Sequence, residues 1–137
     1  MSNYDDPRTT VQWKPPRSGA AVTAATSTRE LAHPPRTDIR LEGVLHALSD
    51  PMRLRIVREL AAADCELACS HFGLPVAKST TTHHFRVLRE SGLIRQIYRG
   101  TAKMSGLRKD DLDALFPGLL DSVLGAADAQ DRRLGDR

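Results

Sequence analysis

The sequence predicts a mostly α-helical chain with one small β-hairpin. Apolar residues recur at helical spacing in two adjacent segments, 41–48 and 51–62, and again at 79–90, a stretch that ends at Ser91-Gly92. Only after that point do apolar and charged residues alternate, over 94–105. The chain has 137 residues, 6 of them aromatic, which is enough for about one ordinary domain with flexible ends.

Residues 1–37 contain Pro7, Pro15, Pro16, Pro34 and Pro35 among Ser, Thr and Ala, without a sustained apolar period, and are expected to form a disordered tail in which Trp13 is incidental. The folded domain is expected over 38–125. Leu41, Val44, Leu45 and Leu48 form one helical stripe, with His46 opposite it in solvent. Ser49-Asp50-Pro51 ends that helix and starts the next: Asp50 suits the N-cap, and Pro51 suits the first helical position, where a missing N–H costs nothing. In the helix over 51–62, Met52, Ile56, Val57 and Leu60 share an arc that also contains Arg53. An arginine on the packed side requires a carboxylate or carbonyl partner, so a structural ion pair is expected there.

Residues 67–72 read as a short helix broken by Gly73-Leu74-Pro75. The helix from Lys78 or Ser79 to Glu90 has two distinct faces. Thr81, His84, Phe85 and Leu88 pack, with His84 a satisfied core histidine, while Ser79, Thr82, His83 and Arg86 point outward. Leu93, Ile94, Ile97 and Tyr98 then alternate with polar residues, and Arg99-Gly100 turns the chain into Thr101–Ser105. Leu112, Leu115 and Phe116 mark a short helix, Pro117 interrupts it, and Leu119, Leu120, Val123 and Leu124 mark another. The stretch 126–137 is expected to fray.

Charge is distributed unevenly. The net charge is +3, yet residues 78–109 hold Lys78, Arg86, Arg89, Arg95, Arg99, Lys103, Arg108 and Lys109 against Glu90 alone. Such a block attracts polyanions, nucleic acid first among them. Two helices joined by a glycine-containing turn, the second polar and basic on its outer face, followed by an arginine-bearing hairpin, are in the order of a winged helix-turn-helix. A helix of this kind fits the major groove, where short polar side chains approach base edges and an arginine bridges to guanine or phosphate. Double-stranded DNA is therefore the expected partner. Ser79, Thr80, Thr82, His83 and Arg86 are placed toward the groove, Lys78 at the phosphates, and Arg95, Arg99 and Lys103 on the backbone or minor groove. Protonation of His83 would add a phosphate contact.

Two segments, Leu45-His46-Ala47-Leu48-Ser49-Asp50-Pro51-Met52-Arg53-Leu54-Arg55-Ile56 and Ser79-Thr80-Thr81-Thr82-His83-His84-Phe85-Arg86-Val87-Leu88-Arg89-Glu90-Ser91-Gly92-Leu93-Ile94, resemble the ArsR/SmtB-type bacterial transcriptional regulators. The first carries that family's Asp-Pro-x-Arg-Leu pattern and the second its Ser-x-His-(Leu/Phe)-x-x-Leu-x-x-x-Gly-Leu run, so the resemblance spans roughly residues 39–108. It implies a homodimeric, repressor-like protein whose first and last helices form the dimer interface and whose effector, a small molecule or a metal, loosens DNA. Leu41, Val44, Leu45, Leu48, Leu119, Leu120, Val123 and Leu124 are the expected interface residues. Physical reasoning agrees: a core of about 85 residues buries only roughly 60–65% of its unfolded surface, and the C-terminal leucines leave an apolar surplus that a two-fold partner would cover. A dimer would set two recognition helices about 34 Å apart, one DNA turn.

Family members that sense soft metals use a Cys-x-Cys pair after Glu-Leu, or His and carboxylates on the last helix. This chain has Glu66-Leu67-Ala68-Cys69 without the second cysteine, and neither His nor Cys among the last helices, where Asp110, Asp111, Asp113 and Asp121 suit helix N-termini and solvent. Cys65, Cys69 and His71 are the remaining candidates for zinc or another thiophilic metal; the alternative is that Cys69 is a small buried apolar residue and Cys65 a loop thiol. The expectation is a regulator with no resident cofactor, a metal- or thiol-responsive sensor being the second reading and a protein-interaction module using the C-terminal apolar surface the third. No phosphate loop, nucleophile elbow or paired-carboxylate pattern suggests an enzyme. Two cysteines four residues apart build no disulfide framework, no apolar run is long enough to span a membrane, and the first residues lack a basic and apolar leader pattern. A cytoplasmic protein is expected.

Overall fold

The computed structural model describes residues 28–135. Contacts divide them into two units, one ending at Leu107 and one beginning at Arg108, where the sequence suggested a single domain over 38–125. In the first unit the elements are β1 (Thr28–Glu30), α1 (Leu41–Leu48), α2 (Pro51–Ala63), β2 (Leu67–Ala68), α3 (Lys78–Ser91), β3 (Ile94–Arg99) and β4 (Ala102–Leu107). The second unit holds α4 (Lys109–Leu115) and α5 (Leu119–Leu134).

The helical half of the first unit follows the sequence pattern closely. The Asp50 carboxylate accepts from the backbone N–H groups of Met52 (2.9 Å) and Arg53 (3.1 Å), the N-cap arrangement that its position before Pro51 suggested. α1, α2 and α3 pack on one another around Val44, Ala47, Leu48, Ile56, Val57, Leu60, Phe85 and Leu88, all buried. The Phe72 ring meets that of Phe85 edge to face at 5.4 Å. At the end of α3, Gly92 has φ +91° and Leu93 N–H donates to Leu88 O (3.0 Å), a left-handed cap that only glycine fills easily here. A Cβ at Gly92 would lie 2.5 Å from Ile39 Cγ1, so close approach of the preceding chain adds a second demand.

Three regions depart from the sequence reading. Residues 67–72 do not form a helix: Leu67 and Ala68 pair with Ser105 and Met104, and a 3-10 turn over Cys69–His71 follows. A short apolar run carries no period of its own, and the free edge of β4 decides its state. The expected hairpin is thus part of a four-stranded antiparallel sheet of order β1-β3-β4-β2. Its other outer strand, β1, falls inside the stretch expected to be disordered, and a 3-10 turn at Arg36–Asp38 straddles the end of that stretch. The remainder of that tail, Trp13 included, lies outside the described residues. In the second unit, α5 continues to Leu134 instead of fraying at 126: Ala126, Ala127 and Ala129 are strong helix formers, and Ala127 is buried.

Arg53 is buried as expected, but its partners are mainly carbonyls. Nε donates to Ala47 O (2.7 Å) and an Nη to His46 O (3.3 Å), closing the C-terminal end of α1. The other Nη lies 3.4 Å from His84 Nδ1, whose Nε2 faces Asp50 Oδ2 at 3.8 Å. One cation therefore ties α1, α2 and α3 together.

Candidate DNA-binding interface

The geometry of α3 separates packing from presentation. His84, Phe85 and Leu88 are buried, whereas Lys78, Ser79, Thr80, Thr82, His83 and Arg86 are all exposed. Among the described residues neither Lys78 nor Arg86 has a carboxylate partner. The N-cap position is Ala77, which offers no side-chain acceptor, and the first turn contains no acidic residue. The amino end of α3 accordingly keeps its positive dipole end open. Glu90 occupies the same outer arc near the other end, so the surface suited to DNA is the first three turns.

The sheet holds its cations differently. Arg99 makes a two-bond pair with Glu66, Nε to Oε1 at 2.8 Å and an Nη to Oε2 at 3.0 Å. Those bonds hold the Glu66 carboxyl below its ordinary range, against the opposing pull of partial burial. Arg95 Nε lies 3.2 Å from Glu30 Oε2. Both arginines expected to touch DNA through the hairpin are thus committed within the chain, each to a carboxylate distant in sequence. Lys103 is half-buried, with its Nζ 5.8 Å from the Tyr98 ring centre. A residue absent from the sequence expectation joins it: Arg29 of β1 lies over the same ring at 4.5 Å. Its only sequence signal was a charge in a polar segment.

Beneath the sheet a buried polar chain joins α3 to it. The Gln96 amide oxygen accepts from an Arg89 Nη (2.6 Å), and its Nε2 donates to Ser105 Oγ (3.2 Å) and faces Cys69 Sγ (3.7 Å). The Gln96 backbone N–H donates to His33 Nε2 (2.8 Å). Cys69 is therefore taken up in a structural network. Cys65 is exposed, and His71 faces Glu59 (3.5 Å) and the edge of Phe72. Among the described residues no cluster of three or more His, Cys, Asp or Glu is arranged to hold a metal, so the Cys65, Cys69 and His71 set expected as a candidate is not brought together.

The expected dimer residues also divide. Val44 and Leu48 are core residues of the first unit, and Leu120 is buried; they serve packing within the chain. Leu41 and Leu45 are exposed, at 43% and 45%. Leu119, Val123 and Leu124 are half-buried. No helix of the described residues is long and apolar enough to cross a membrane.

Helices packed as a helix-turn-helix, with a strand pair directly after the second helix, define the class: a winged helix-turn-helix DNA-binding protein. The helix-turn-helix domain family matches residues 48–97. YceK of Bacillus subtilis (strain 168), described as an uncharacterized HTH-type transcriptional regulator, is 35% identical over 82 residues, which are 58% of this chain and 82% of that protein. The chain belongs to the HTH-type transcriptional regulators. Among solved structures, an ArsR family transcriptional regulator is similar at 22% identity and a TM-score of 0.49, covering 70% of this chain and 90% of that one. The transcriptional repressor BigR from Xylella fastidiosa is similar at 22% identity and a TM-score of 0.45, covering 56% and 85%. The function is DNA-binding transcriptional regulation.

Proposed function

We propose that this regulator binds duplex DNA sequence-specifically as a homodimer, with α3 in the major groove, and acts as a repressor without enzymatic activity. The observation that carries this reading is the outer face of α3: small hydroxyl side chains at Ser79, Thr80 and Thr82, His83 beside them, and Arg86 exposed with no carboxylate partner among the described residues. Short side chains allow the helix backbone close to base edges, and Arg86 is the one long donor on that arc able to form a two-bond contact to guanine. Lys78, at the helix entry, suits a phosphate. The exposed Leu41 and Leu45 and the half-buried Leu119, Val123 and Leu124 supply apolar surface for a second copy. Repression follows from the resemblance in the motif segments, and a cytoplasmic location follows from a DNA target.

Selection of bound fragments from a genomic library, followed by titration of the selected site, tests the reading. Arg86→Ala should weaken the selected site by about 1–3 kcal/mol and relax preference at one or two base positions, while mixed-sequence duplex is affected far less. Equal loss on selected and mixed duplexes would remove Arg86 from base readout. Sedimentation of the full chain should give twice the monomer mass, and a two-fold related pair of half-sites should appear in the selected sequences.

A further inference from the structure

We propose that the wing meets the DNA backbone through the sheet face carrying Arg29, Tyr98 and Lys103, so that the N-terminal strand β1 is a working part of the DNA-binding surface. The inference rests on the DNA reading above. Register fixes the arrangement: Arg29 is paired with Tyr98, and Tyr98 with Lys103. Directly opposed residues in an antiparallel ladder project from the same face, so the three side chains form one row across three strands. Gln96 and Ser105 are paired on that same face, and Gln96 is where Arg89 of α3 is bound. The row is thus on the α3 side of the sheet, continuing toward the Arg99–Ala102 turn. Arg95 and Arg99, alternating with Gln96 and Tyr98 along β3, project from the opposite face.

The two faces also differ in the state of their cations. On the far face, Glu30 faces Arg95, and Glu66 neutralises Arg99 by accepting from its Nε and one Nη. On the α3 side, Arg29 and Lys103 have an aromatic ring as neighbour and no carboxylate among the described residues. A guanidinium stacked on a ring keeps its N–H edges in plane and open to phosphate oxygens, and the stack reduces the rotamer freedom lost when a contact forms. The occupant is therefore the sugar-phosphate backbone of duplex DNA, contacted without regard to sequence.

The test uses the full chain and a mixed-sequence duplex, with affinity measured by fluorescence anisotropy over a range of salt concentrations. Arg29→Ala and Lys103→Ala should each reduce the slope of log affinity against log salt by about one, equivalent to about an eightfold loss at 0.1 M salt. Arg29→Lys should keep the slope, whereas Arg95→Ala and Arg99→Ala should leave both slope and affinity near wild type. Thermal melts of each variant separate loss of fold from loss of contact. A slope that falls in Arg99→Ala or Arg95→Ala and not in Arg29→Ala overturns the assignment. Salt-dependent binding by the wild type with an unchanged slope in Arg29→Ala also overturns it, leaving the groove reading of α3 intact. A folded wild type with no salt-dependent duplex binding would overturn both.

Discussion

Replacing Arg53 with methionine tests whether one buried cation joins the first three helices. Arg53 is 8% exposed, and its guanidinium donates to Ala47 O at 2.7 Å and His46 O at 3.3 Å, with His84 Nδ1 at 3.4 Å. Hydrogen bonds from a charged donor contribute about 1.5–3 kcal/mol each, and the longer carbonyl contact belongs at the lower end of that range. Methionine keeps most of the aliphatic volume, so cavity formation is minor, and removing a buried charge relieves part of its desolvation cost. The net expected loss is about 2–3 kcal/mol, a large part of the 5–15 kcal/mol typical of a domain.

With a urea m-value of about 1.5 kcal/mol/M, that loss lowers the unfolding midpoint by roughly 1.5–2 M, read by circular dichroism at one fixed protein concentration. Arg55→Met is the matched control. That side chain is 44% exposed and pairs with Glu59 at 3.0 Å, an arrangement whose removal should cost no more than about 0.5 kcal/mol. Arg53→Lys should rescue little, because a single ammonium cannot reach two carbonyls and an imidazole at once. Midpoints for Arg53→Met and Arg55→Met that fall together would refute the reasoning.

Two further outcomes follow from local geometry. Burial pulls the Asp50 carboxyl upward, but the backbone N–H groups of Arg53 and Met52 together with the nearby His84 and Arg53 side chains outweigh it, so its pKa lies below the ordinary value. Its contribution is full above about pH 4 and lost as pH falls through the depressed value; Asp50→Asn should therefore cost about 0.5–1 kcal/mol at pH 7 and lose less stability on acidification to pH 2, as urea melts at several pH values would show. Gly92→Ala combines a left-handed φ of +91° with a Cβ 2.5 Å from Ile39 Cγ1, and should cost about 2–4 kcal/mol; adding Ile39→Val should recover part of that loss in a double-mutant cycle.

The helices were legible because each carries its own signal. The 41–48 stripe, the Asp50-Pro51 start and the Gly92 stop depend on residues within a few positions of one another, and the structure places all three where their spacing predicts. The sheet was not legible in full because its outer strands have no pattern of their own. Thr28-Arg29-Glu30 becomes a strand by pairing with Arg99, Tyr98 and Ile97, and Leu67-Ala68 by pairing with Ser105 and Met104. Neither pairing leaves a local trace. The outer face of α3 was readable from helical spacing alone, whereas the availability of the wing arginines depended on Glu30 and Glu66, which lie outside the basic block.

Those distant carboxylates change what the charge pattern means. Of the eight cations in 78–109, Arg95, Arg99, Arg108 and Lys109 each face a carboxylate, at 3.2, 2.8, 2.8 and 2.7 Å, and Arg89 faces the Gln96 amide. Ion pairs this close act as dipoles beyond a Debye length of about 8 Å at physiological ionic strength, so they add little to the field a polyanion meets. Arg89 keeps its charge but is tied down against the sheet by that amide, so Lys78, Arg86 and Lys103 remain from the block as cations placed to make contact, and Arg29 joins them from outside it. Counterion release on DNA binding scales with phosphates neutralised, so the electrostatic contribution of each chain in the proposed complex should reflect about four contacting cations instead of eight. Lys78 and Arg86 on α3 lie beside the positions suited to base edges, while Arg29 and Lys103 form the row on the sheet. On the reading proposed above, a helix placed to read sequence and a sheet placed to grip the backbone divide these cations, with Arg95 and Arg99 held by their own carboxylates.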